Sequence, residues 1–145
     1  MPVKKQRIKR IVRPINSVII HCSATEADPK IGVKQIDEWH RQQGWLSCGY
    51  HFVVRTDGTV EEGRDLAEPG AHCRGYNADS IGVCYVGGLD AEGNAADTRT
   101  PEQRASLQAI VTVLRSVFPD AQLYGHCDLA VKDCPCYDVH AEYEK

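Results

Sequence analysis

No stretch of this 145-residue chain approaches the ~20 consecutive apolar residues of a membrane span. Nor does its N-terminus lead into the ~7–15 apolar residues of a secretion signal, since Ile11-Val12 is cut short by Arg13, Pro14 and Asn16. A chain of this kind is expected to be made and to fold in a cytoplasm. It has no CxxC pair, which argues against a structural zinc finger. Internal repeats, low-complexity tracts and linker-like composition shifts are also missing, so one domain with a single core is expected. Residues 1–13 contain no acidic side chain.

What is present begins with that N-terminal imbalance. Lys4, Lys5, Arg7, Lys9, Arg10 and Arg13 make residues 1–13 a basic arm, while the remaining chain carries 11 basic against 20 acidic residues. The arm reads as a solvated terminus, with a docking surface for an acidic partner as the alternative. The domain proper is expected over 14–145. Seven cysteines are an odd number, and without a secretion signal a disulfide framework is not expected. Most should be small buried hydrophobes or reduced thiols.

The run from Ile15 to Cys22 predicts a strand buried on both faces, with His21 near its C-terminal end. Val33, Ile36, Trp39 and His40 recur at helical spacing and predict a helix over 32–43, stopped by Gly44. Asp57-Gly58 between strand-like runs (49–55 and 60–64) predicts a hairpin. On its first strand, alternation puts Tyr50, Phe52 and Val54 on one face and His51, Val53 and Arg55 on the other. Residues 65–79 read as a long polar loop, and Ser80 to Gly87 as a second buried strand. Thr100-Pro101-Glu102-Gln103 is a capping-box start for a helix with an apolar stripe from Leu107 to Phe118. A short strand over 121–124 and a helical turn after Asp138 complete the chain. This mixture predicts an α/β domain: a mixed sheet of about five strands flanked by two or three helices.

Strand ends and loops display reactive groups on a rigid frame. Here they offer His21, Tyr50, His126, Lys132 and Cys134. His21, His126 and Cys134 would make a three-ligand zinc site with an open fourth position, the pattern of a catalytic centre. Six histidines and seven cysteines allow many other triples, and spacing alone does not choose among them.

The ordered motifs Val18-Ile19-Ile20-His21-Cys22-Ser23-Ala24-Thr25, Gly49-Tyr50-His51-Phe52, His72-Cys73-Arg74-Gly75-Tyr76-Asn77, Ser80-Ile81-Gly82-Val83-Cys84 and Lys132-Asp133-Cys134-Pro135 carry a resemblance. From about Ser17 to about Asp138 the chain resembles zinc-dependent N-acetylmuramoyl-L-alanine amidases of the T-odd phage lysozyme type. These share their fold with peptidoglycan recognition proteins.

The resemblance implies one Zn2+ per chain on His21, His126 and Cys134, with Tyr50 and Lys132 as catalytic residues. It implies hydrolysis of the amide between N-acetylmuramic acid and L-alanine in peptidoglycan, as a lytic endolysin held in the cytoplasm until release to the wall. One thiolate and two neutral imidazoles would leave a centre of net charge +1, so a cation such as Lys132 gains importance in stabilising the developing oxyanion. His72 and Asn77 are expected to line the substrate groove, and Asp138 to orient a ligand imidazole from behind. A small residue, commonly Ser or Gly, is expected where this chain has Cys136. The alternatives are a non-catalytic peptidoglycan-binding module and an added role as inhibitor of a phage RNA polymerase. Retention of Cys134 favours catalysis over the first. Neither direct nucleic-acid binding nor membrane association is expected, and the chain should act as a monomer.

Overall fold

Strand β1 (Ser17–Cys22) lies inside the sheet, and all six of its residues are buried. A computed structural model describes residues 11–144; the basic arm lies outside the described residues except for its last three positions. Helix α1 (Val33–Gln42) follows β1, then β2 (Phe52–Val54) and β3 (Val60–Glu62). A 3-10 turn over Asn77–Asp79 feeds β4 (Ser80–Tyr85). Helix α2 (Pro101–Val117), β5 (Gln122–Gly125), a 3-10 turn over His126–Asp128 and α3 (Val139–Tyr143) complete the fold.

The sheet order is β3-β2-β4-β1-β5. β2, β4, β1 and β5 run parallel, and β3 pairs antiparallel with β2. This is the mixed five-stranded sheet expected from the sequence, with three α-helices among the described residues. β1 pairs with two strands that come much later in the chain, so its apolar residues face core on both sides. Val18, Ile20 and Cys22 pack with Ile81, Val83 and Tyr85 under Leu107, Val111 and Leu114 of α2 and Val139 of α3. The opposite face holds Val53, Cys84 and Val86 against Ile36 of α1, with Ile31 and Cys48 beside them.

Local chemistry sets the element ends. Thr100 and Gln103 form the reciprocal capping box at the start of α2. Gly58, at φ 88°, closes the β2–β3 hairpin, where a side chain would be strained. Helix α1 begins at Gly32, which has no capping side chain of its own. Glu61 of β3 accepts from the Val33 N–H instead, at 3.0 Å.

One facing differs from the alternation expected for β2. Tyr50 packs with Val53 in the α1-side cluster, whereas Phe52 packs on the α2 side. The cause is an irregular ladder. Successive carbonyls, of Tyr50 and His51, accept from Arg64 and Gly63 at 2.8 and 2.9 Å. A regular antiparallel pair alternates bonded and non-bonded residues. The pleat is lost before Phe52, and Tyr50 turns to the face that carries His21.

Candidate metal centre and active site

The site is assembled at the C-terminal edge of the parallel strands. His21 occupies the fifth position of β1 and is 1% exposed. His126 follows β5 directly, and the Cys127 N–H donates to the Cys134 carbonyl at 2.8 Å, closing the loop between the two ligand positions. The loop is also held from beneath: the buried Tyr85 hydroxyl donates to the Pro135 carbonyl at 2.7 Å. A ligand nitrogen from each of His21 and His126 and the Cys134 sulfur lie within 4.8 Å of one another.

The donor set suits a borderline-soft metal. His21 Nδ1 is 3.8 Å from Cys134 Sγ. Zinc bonds of ~2.0–2.3 Å meeting at a tetrahedral angle place donors about 3.3–3.6 Å apart, close to the spacing of this pair. Burial, together with the neighbouring His72 and His126, holds His21 well below the usual imidazole range. Burial and the Lys132 charge lower His126. Both rings are therefore neutral near pH 7, the state a metal requires. The Cys22 N–H donates to Cys134 Sγ at 3.2 Å, fixing the sulfur's position beside β1.

Tyr50 is partly buried, with its ring 5.1 Å from that of His21 and 5.5 Å from that of His40. Burial, then the surrounding thiols of Cys84 and Cys134, pushes its hydroxyl well above the ordinary phenol range. It is thus a protonated hydrogen-bond donor at neutral pH. Lys132 is exposed and lines a groove of about 600 Å³ with Trp45, His72, Arg74, Asn77 and His126. His126, of the potential metal cluster, and the cation Lys132 thus both line one open groove.

His72 and Asn77 do line this groove, but both His72 nitrogens and Asn77 Oδ1 are engaged within the protein. Asn77 Oδ1 accepts from the N–H groups of His72 and Cys73, both at 2.9 Å. His72 is 9% exposed, and its nitrogens meet His21 Nε2 at 2.8 Å and Ser80 Oγ at 3.2 Å. Burial, with the nearby His51 and His126, pushes it down to about 3.

Asp138 does not stand behind a ligand. It is the N-cap of α3, its carboxylate accepting from the Ala141 N–H at 3.1 Å, because the chain turns into a helix directly after it. The group that meets a ligand imidazole is His72. The sequence signal for this was indirect, a second histidine in a polar loop 51 residues from His21.

The spare sulfurs near the ligands point elsewhere. Cys136 Sγ donates to the Gly88 carbonyl at 3.5 Å, and Cys127 is exposed. Cys136 has φ 71°, in the left-handed region, which glycine, one of the two residues expected at that position, adopts without strain.

A parallel-edged sheet, a two-histidine, one-cysteine cluster that could hold a metal ion and an open groove beside a lysine are the parts of a hydrolase site. The family model for N-acetylmuramoyl-L-alanine amidase matches residues 12–137, and the chain belongs to that family. The endolysin of Klebsiella phage KP32 is 46% identical over 130 residues, covering 90% of this chain and 86% of the relative. The endolysin of Escherichia phage T7 is 44% identical over 130 residues, with the same coverage, 90% and 86%. Among solved structures, the N-acetylmuramoyl-L-alanine amidase LysC from Clostridium intestinale URNW superposes with a TM-score of 0.73 at 30% identity, covering 85% of this chain and 77% of LysC. The protein is an amidase of bacterial peptidoglycan, and the expected fold and enzyme class both hold.

Proposed function

We propose that this amidase is a zinc enzyme of the lytic endolysin type, holding one Zn2+ on His21, His126 and Cys134 and using Tyr50 and Lys132 in catalysis. The observation that carries this reading is the cluster itself. Three metal-ligating atoms lie within 4.8 Å at the edge of a groove that Lys132 also lines.

The zinc ion would polarise the muramoyl carbonyl and lower the pKa of the attacking water. The protein's share follows from its charges. With a thiolate among the ligands the centre is a mild Lewis acid, and Lys132 supplies a second positive charge for the carbonyl oxygen as it gains negative charge. Tyr50, protonated, with its ring packed against His21 and its hydroxyl beside the Cys84 thiol, is the proposed hydrogen-bond donor at the centre. The groove is open to solvent for an extended glycan-peptide, and His126 is the proposed ligand that lines it. No helix among the described residues is long and apolar enough to cross a membrane. The proposed setting is a protein held in the cytoplasm until it is released to the wall.

Mass spectrometry of digested peptidoglycan, with and without a chelator, tests the reading. The expected products are stem peptides with a free L-alanine amine, lost on chelation and restored by zinc. Full activity in zinc-free protein would overturn it.

A further inference from the structure

The ring behind His21 has a defined hydrogen-bond logic. His21 turns Nδ1 toward Cys134 Sγ and Nε2 toward His72 Nδ1, 2.8 Å away. If Nδ1 is the metal-binding atom, the ring proton of neutral His21 must sit on Nε2. His72 Nδ1 is then the acceptor, and its own proton must sit on Nε2, which faces Ser80 Oγ at 3.2 Å. Each step leaves one arrangement of protons. Ser80 is fully buried at the start of β4, and His21 is nearly so, hence water cannot easily replace either partner.

The backbone is built to hold this ring. Asn77 clamps the N–H groups of His72 and Cys73, fixing the loop that carries the imidazole. Gly82 makes room for it: a Cβ at that position would lie 2.6 Å from His72 Cγ and Cδ2. Both ring nitrogens are committed inside the protein.

We propose that His72, backed by Ser80, is the positioning residue of the metal centre, fixing the tautomer and orientation of His21 rather than binding substrate through its nitrogens. This rests on the reading of His21, His126 and Cys134 as zinc ligands. Partners of this kind typically change metal affinity by about 10–100-fold when removed.

The test is a zinc competition titration against a chromophoric chelator, on the full chain and its His72→Phe and His72→Asn variants. Asparagine keeps an acceptor near the Nδ1 position, and phenylalanine has none. His72→Phe is expected to weaken zinc binding about 10–100-fold, with His72→Asn recovering most of the loss. Nitrogen-15 NMR of the zinc-loaded, histidine-labelled wild-type chain gives a second reading that does not depend on any variant folding. The proton is expected on Nε2 of both His21 and His72. Equal zinc affinity in His72→Phe, or a His21 proton on Nδ1, would overturn the proposal. A rise in KM at unchanged zinc affinity would also overturn it and assign His72 to substrate binding. Failure of the wild-type chain to bind zinc would instead overturn the metal reading beneath it.

Discussion

Replacing Gly82 by alanine should damage this protein through a single neighbour. Gly82 lies in the middle of β4, and an added Cβ would sit 2.6 Å from two atoms of the His72 ring and 2.9 Å from a third. Ordinary contacts need at least ~3.4 Å, and the interior is packed too tightly to yield that distance freely. The ring must move by most of an ångström. It cannot do so and keep bonds of 2.8 Å to His21 and 3.2 Å to Ser80. Overpacking of this kind costs about 1–3 kcal/mol. Two buried hydrogen bonds add about 1 kcal/mol each. The sum is about 3–5 kcal/mol, roughly a 10 °C fall in melting temperature for a domain of this size.

The assay is urea unfolding in a double-mutant cycle with His72→Ala. Removing the ring first opens the space, so Gly82→Ala in that background should cost less than about 1 kcal/mol. An equal cost in both backgrounds would refute the reasoning, placing the strain in the strand backbone and not against the ring.

Lys132→Ala should lower kcat by about 100-fold with zinc content unchanged, measured by peptide release and metal analysis together. Loss of metal in that variant would contradict its assignment. Cys134→Ser should abolish both cleavage and stoichiometric zinc binding, checked by dialysis and elemental analysis. Tyr85→Phe removes the donor to the buried Pro135 carbonyl and should cost about 1–3 kcal/mol in denaturant unfolding. Stability should fall as pH drops below ~6.5, because burial pushes His51 down to about 4 and the unfolded chain takes up a proton that the folded chain refuses. That contribution is complete above ~6.5 and lost on approaching 4. His51→Asn should flatten the slope of stability against pH by up to about 3 kcal/mol across the window, and an unchanged slope would show that His51 does not titrate there.

The elements that local chemistry specifies were legible in the chain. Thr100 and Gln103 cap α2 as their spacing implied, Gly58 closes the hairpin, and the doubly buried β1 lies inside a sheet with partners on both sides. What was hidden depends on contacts between distant segments. Tyr50 changes face because two consecutive carbonyls are bonded, and no alternation rule reports such a break. His72 and His21 meet across 51 residues, from a loop with no periodicity to place it. Asp138 carried two readings, an orienting group and a helix cap, and only the direction of the chain at Val139 decides between them. Spacing brought the ligand triple no further than one choice among many; the fold brings its atoms together.

The distance along the chain between ligands has a consequence for biosynthesis. His21 and Cys134 are 113 residues apart, and β1 pairs with β4 and β5, both made later. During translation, β1 leaves the ribosome with neither neighbour available, and the last ligand follows near the end. An N-terminal fragment released before residue 126 therefore carries one of the three proposed ligands and lacks the His126 and Lys132 wall of the groove. Closure of the sheet around β1 and completion of the proposed metal site therefore wait on the same late segment of the chain.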